Sequence, residues 1–425
     1  MTEESSLVGN KRIFPLIRCV QQDINSPFID IESVLKTNLD IFGLKNKVNP
    51  GDSVAITAGS RGITNISTIL KTLVNYLKDL QAKPFIIPAM GSHGGGTAEG
   101  QLQILKDYGI TEQKIGCPIK ATMDVVEIGE SEFGTPLFLD RYASLADKII
   151  VVNKIKCHSK FQGDVESGLS KMCLIGIGKH KGAKIYHRLI DRYGWPRVIS
   201  SLLGDILKSA PIICGIGIIQ NANNKPAQLH ILHPEEFSTK EPELLRSYKE
   251  LAAQLPFKDL DLLIVDEMGK KIFGTGMDTN ITGRKQGVDK RIQLLFVRDL
   301  TKKSHGNAQG IGLADFTTKR LIDKIDFKKT YTNALTAFRT DSPKLPIFLK
   351  NDKEVMETIF DFMDLKDVST IRMVWIKNTL ELTKIIVSEY FFNQIKEHDN
   401  LSFIGDEEPM EFDQDGFLTN SKKYW

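Results

Sequence analysis

This chain of 425 residues contains no CxxC pair, no HExxH, no GxGxxG and no glycine loop ending in GKS or GKT. The first absence excludes a zinc ribbon. The five cysteines (Cys19, Cys117, Cys157, Cys173 and Cys214) are odd in number and widely spaced, so they offer no disulfide framework either. Both observations point to a reducing compartment, and a cytoplasmic location is expected. The other absences remove the signatures of zinc proteases, dinucleotide folds and Walker-type nucleotide sites. No apolar run is long enough and free enough of charge to cross a bilayer, and the opening residues MTEESSLVGNKR lack the apolar centre of a signal peptide. Nor does one sign of charge dominate. A formal net charge of +3 is too slight to imply a nucleic-acid partner. Internal repeats and low-complexity tracts are also missing.

What remains is an ordinary globular composition, 41% hydrophobic and 26% charged, in a chain too long for one comfortable core. Apolar periodicity gives strands at 52–57, 83–89, 148–153 and 212–219, alternating with helices at 66–80, 97–108, 178–193 and 195–208. A polar helical stretch at 234–255 precedes a second alternating region, with a strand at 292–298, a helix at 313–324 and late strands near 371–375 and 383–387. The expected fold is therefore α/β: two domains, 1–258 and 259–425, with mainly parallel sheets flanked by helices. The active site is expected in the cleft between them, and the tail is expected to cross back onto the first domain.

Three glycine-bearing segments follow strands of the first region, so they should gather at the carboxyl edge of one sheet. GSRG places Arg61 on a tight turn, where a guanidinium can clamp a carboxylate or phosphate; a surface arginine is the competing reading. MGSHGGGTAEG carries His93, with Thr97 as a helix cap and the N–H groups of Gly94–Gly96 available to an anion. The stretch from Asn153 to His187 holds three of the eight histidines, with Lys171 and several glycines. His180, Lys184 and His187 share a helical face, and a merely solvated basic helix is the alternative there. Cys157 reads best as a buried thiol. In the second region Asp266 and Glu267 end a strand with Lys270 on the following loop. Such paired carboxylates can do acid–base or metal work, against the commoner reading as a cap or surface pair, and His305 reads as structural.

Taken together, Arg61 in GSRG, His93 in GSH, His158 in KCHSK, Lys171 in SGLSKM and His187 in IYHR resemble the nickel-dependent lactate racemase family, in order over more than a hundred residues. The resemblance implies a nickel-pincer nucleotide, a pyridinium mononucleotide whose ring carbon and two sulfurs bind nickel. Lys171 would tether it, His187 would ligate the metal, and Ser60, Arg61, Gly94, Gly95 and Gly176 would contact the cofactor. His93 and His158 would be the acid and base, with Arg61 and Lys319 holding the substrate. The implied activity is inversion at C2 of a 2-hydroxy acid by hydride transfer, and the implied partners are that small substrate and cofactor-assembly proteins. Three departures touch the pocket. Ala58 stands where an acidic residue is usual, Gly94 stands where arginine is usual, and the interval from His158 to Lys171 is longer. A substrate larger than lactate, such as a sugar acid, is the expectation. A nicotinamide-type dehydrogenase and a non-catalytic anion- or nucleotide-binding protein are the alternatives.

Overall fold

The computed structural model describes residues 13–24, 26–60, 62–336 and 339–425. One compact unit spans Asn25–Ala252, and the other joins the segment ending at Ile24 to Ala253–Trp425. The first strand, β1 (Leu16–Gln22), thus belongs to the second unit in chain order.

In the Asn25–Ala252 unit, β2 (Ser53–Ala58), β3 (Lys83–Pro88), a hairpin of β4 (Val125–Glu130) and β5 (Pro136–Asp140), β6 (Lys148–Lys154), β7 (Ile212–Gln220) and β8 (Pro226–Leu232) follow in sequence. The main sheet has the order β3-β2-β6-β7-β8. Its first four strands are parallel and β8 is antiparallel to β7. Alternate residues feed two cores. Ala55, Ile149 and Val151 enter one cluster, while Val54, Ile56, Ile150 and Val152 enter the other. A sheet buried on both faces explains why these strands read as continuous apolar runs. Helix Ile66–Asp79 covers one face with Ile69, Leu70, Leu73 and Leu77, all fully buried. Each such side chain contributes about 1.5–3 kcal/mol relative to exposure.

The other unit contains β9 (Asp259–Met268), β10 (Arg291–Leu300), β11 (Phe316–Thr318), β12 (Ile347–Leu349), β13 (Met373–Ile376), β14 (Lys384–Ser388) and β15 (Leu401–Pro409). Its sheet runs β12-β11-β10-β9-β13-β14-β1-β15. The strands from β12 to β13 are parallel, and β14, β1 and β15 continue the sheet antiparallel. The α/β class with mainly parallel sheets is as expected.

Three local expectations change. The helix expected over 313–324 is instead strand β11 followed by one helical turn, Lys319–Ile322. Thr317 and Thr318 are β-branched and fully buried, and their hydroxyls donate to Val297 and Arg298 carbonyls at 2.7 and 2.9 Å, which holds the segment beside β10. The division of the chain falls near Ala252 rather than at 258, and β1 pairs with β14 and β15 rather than with the sheet that follows it. The tail packs within this same unit: β15 lies against β1, and Trp425 Nε1 donates to Asp266 Oδ2 at 2.6 Å. Among the described residues no helix is long and apolar enough to cross a membrane.

Candidate active site

Strands β3, β2 and β6 are neighbours and parallel, so their three exits leave the same edge of the sheet. After β2, Ser60 Oγ is hydrogen-bonded to Nδ1 of His93, which lies on the exit of β3. Tyr108 Oη donates to the Ser60 carbonyl at 3.1 Å. Arg61 is outside the described residues. Ser60 is thereby a direct partner of His93, a link the sequence motifs alone did not specify.

The loop after β3 is built by a tight turn. Gly94, Gly95 and Gly96 all have φ near +68°, a region that costs other residues steric strain. Thr97 caps helix Ala98–Asp107 through the Gly100 N–H at 3.1 Å, as its position suggested. A methyl group on Gly100 would sit 1.9 Å from the Gly94 carbonyl oxygen, so only glycine allows this closure. The Gly96 N–H is used within the turn, on the His93 carbonyl at 3.3 Å, rather than being left for an anion.

The exit of β6 carries the other histidines and the lysine. His158 forms a local turn: its Nδ1 accepts from the backbone N–H of Lys160 at 3.1 Å and of Phe161 at 3.0 Å. Its own N–H donates to Glu166 Oε2 at 2.7 Å. Phe161 stacks on His158, centroid to centroid 4.1 Å, and on Trp195 at 4.2 Å. The same ring lies 6.0 Å from the His187 ring, and Lys171 Nζ is 5.9 Å from its centroid. Phe161 is thus the common neighbour of three residues chosen from sequence. No spacing rule marked it.

Lys171 ends a helical turn, Leu169–Lys171, that passes into a π-turn, Met172–Gly176, and then into helix Lys179–Tyr193. That helix delivers His187. Burial, followed by the positive charges of Lys171 and Lys160, lowers the His187 pKa to about 4. Its imidazole is therefore neutral near pH 7, the form that ligates metal. Glu241 closes the amino end of the Lys171 turn, accepting from Ser170 N at 2.9 Å and Ser170 Oγ at 2.6 Å. Burial raises its pKa to about 7. Gly176 meets the His93 loop through its carbonyl, which accepts from Gly91 N at 3.2 Å. Cys157 is buried, in line with its reading as a core thiol, while His180 is exposed.

One lysine of the KHKGAK run is not solvated. Lys179 is fully buried and takes φ of 54°. Its Nζ lies 3.0 Å from Asp140 Oδ2, donates to Gln101 Oε1 at 3.2 Å and donates to the Pro88 carbonyl. Because Gln101 Oε1 accepts from Lys179, its Nε2 faces the other way, to the Gly91 carbonyl at 3.0 Å and the His93 carbonyl at 3.3 Å. A buried charge on the first turn of the His187 helix therefore fixes the backbone beside His93. Substituting Gln101→Met orphans the Gly91 carbonyl and leaves the His93 carbonyl with the Gly96 N–H alone. Amide hydrogen exchange across residues 89–97 is expected to accelerate about ten- to hundredfold, and unaltered exchange would contradict this coupling.

In the other unit, Lys319 is exposed and pairs with Asp323 at 2.5 Å. Asp266 accepts from Arg298 and from the indoles of Trp375 and Trp425, and Lys270 Nζ donates to Asn333. His305 closes a short turn with φ of 48°. These contacts give Asp266, Lys270 and His305 visible structural work.

Residues 10–193 match the lactate racemase N-terminal domain. Among solved structures, the lactate racemase apoprotein from Thermoanaerobacterium thermosaccharolyticum is similar at 14% identity and a TM-score of 0.44, over 65% of this chain and 69% of that one. No curated protein matches the chain.

Proposed function

We propose that this protein is a racemase or epimerase that inverts C2 of a 2-hydroxy acid, with a nickel-pincer nucleotide held on Lys171 and ligated by His187. The observation that carries this reading is the convergence of His158, Lys171 and His187 on Phe161 within the stretch that matches the lactate racemase N-terminal domain. The donor set fits such a group: a neutral, half-buried imidazole and a primary amine border the same aromatic ring. Among the described residues no three His, Cys, Asp or Glu side chains form a metal cage. A metal that brings its own sulfur and carbon donors needs only one imidazole from the chain. When bound, the nucleotide would supply an electrophilic centre for hydride chemistry at C2.

The chain's own residues handle the rest. His93 and His158 hold or move the proton of the C2 hydroxyl. Arg61 is the proposed anchor for the substrate carboxylate, and Ser60, Gly94, Gly95 and Gly176 are the proposed contacts to the nucleotide. Glycines at 94–96 in place of a long side chain favour a polyhydroxylated acid over lactate. The remaining proposed partners are the proteins that assemble the nucleotide, and the proposed location is the cytoplasm.

The test is expression together with cofactor-assembly enzymes, followed by intact mass, nickel content and chiral analysis of 2-hydroxy acids. One adduct and one nickel per chain are expected, both lost in Lys171→Arg, with inversion fastest on a sugar acid. Lactate as the fastest substrate would overturn the size argument. Absence of adduct and nickel from co-expressed protein would overturn the cofactor assignment.

A further inference from the structure

A second gathering of charged side chains lies at the carboxyl ends of β9 and β10. Asp266 and Glu267 stand near the end of β9, Asp299 and Leu300 close β10, and Arg320 follows directly after β11. Between them and the segment from Asp413 to Lys422 is a cleft of about 550 Å³. These strands are parallel, and the carboxyl edge of such a sheet is where α/β folds hold ligands. None of these residues has a part in the function proposed above.

The carboxylates that line the cleft are already engaged. Asp266 accepts from Arg298 and from the indoles of Trp375 and Trp425. Asp299 meets Lys324 at 2.7 Å and Arg320 at 3.4 Å. Asp413 accepts from the Asp415 and Phe417 N–H groups at 3.1 and 2.8 Å, and Glu267 accepts from Asn378 Nδ2 at 3.3 Å. The cations are not all matched. Lys302, Lys303 and Lys422 border the cleft, and among the described residues their ammonium groups make no ion pair. Arg320 is held over the Phe417 ring, 4.1 Å from its centroid, with Asp352 Oδ1 at 3.7 Å. Its Nη2 makes one long hydrogen bond, to the Arg298 carbonyl at 3.5 Å, while its buried Nε has no hydrogen-bond partner. A buried donor left unsatisfied is unfavourable, and an oxyanion would satisfy it.

We propose that this cleft binds a phosphorylated small molecule. The Arg320 fork matches two oxygens of one phosphoryl group, and the unmatched lysines neutralise the remaining charge. A lone carboxylate carries a single negative charge and would leave most of these cations unused. A phosphoryl group carries about two near pH 7, and a pyrophosphoryl group more. The volume of the cleft leaves room for the organic part of such a molecule.

Titration calorimetry of the full chain at low salt, with pyrophosphate, ADP, glucose 6-phosphate and citrate, tests the assignment. Saturable binding is expected for pyrophosphate and for ADP or glucose 6-phosphate, whichever carries the right organic part, and each should bind more tightly than citrate. Added salt should weaken it, because the lysines are exposed. Lys302→Gln combined with Lys422→Gln should weaken binding about tenfold without shifting the unfolding midpoint. Arg320→Lys keeps the charge but not the fork, and should weaken it at least as much. Absence of saturable phosphate binding, tighter binding of citrate, or unaltered affinity in the double lysine variant would each overturn the proposal. So would loss of pyrophosphate binding once Lys171 carries a nucleotide, because the cleft would then belong to that nucleotide's own phosphate. Racemase activity is not read in any of these titrations, so the two proposals fail separately.

Discussion

His93→Gln is expected to reduce kcat for either stereoisomer by about 10²–10⁴-fold, with KM changing much less. Glutamine preserves size and a hydrogen bond to Ser60 Oγ, so the loop should keep its form. What it removes is a nitrogen that can gain and release a proton. The measurement is steady-state kinetics in both directions on nucleotide-loaded enzyme, with intact mass confirming equal loading. A loss below tenfold would take the proton away from His93. Ser60→Ala should give a smaller fall, because it leaves the imidazole in place but unaligned.

Lys179→Met is expected to cost about 3–5 kcal/mol of unfolding free energy, the usual penalty for removing one partner of a buried ion pair. Burial raises the Asp140 pKa and lowers that of Lys179, and the attraction between the two groups opposes both shifts. Without the lysine, the Asp140 carboxylate is left inside the core. Methionine fills much the same volume, so the loss reports charge rather than a cavity. The left-handed backbone at Lys179 remains in the variant, which confines the change to the side chain. Denaturant unfolding should show a lower midpoint, and Asp140→Asn combined with Lys179→Met should recover part of the loss. No recovery would mean that the pair is not what stabilises this corner.

The gathering of the candidate-site loops was legible because helix and strand periodicity placed three glycine-bearing loops after three strands, and parallel strands send such loops to one edge. The order His93, His158, Lys171, His187 could be read directly along the chain. The supporting residues could not. Lys179 sits in a run of lysines and histidines that reads as a solvated helix face. Its burial depends on Asp140 and Gln101, which come from a hairpin and from another helix. Phe161 is one aromatic among 22 phenylalanines, and only folding sets it among His158, Lys171 and His187. The misreading of 313–324 has a different cause. The apolar spacing of Leu313, Phe316 and Leu321 suits a helix, but hydrogen bonds from Thr317 and Thr318 to β10 decide for a strand. The sheet to which β1 belongs is likewise invisible to pattern, since alternation says which face a residue takes and not which strand it will meet.

The placement of β1 also shapes how the nascent chain matures. Its neighbours, β14 and β15, begin at Lys384 and Leu401, so this early strand leaves the ribosome long before either partner exists. At about 5–20 residues per second, the wait is of the order of a minute or less. Meanwhile Asn25–Ala252 is already complete as a continuous segment, with both of its cores available. The part that carries His93, Lys171 and His187 can therefore condense during translation, and the unit that contains β1 must close after it.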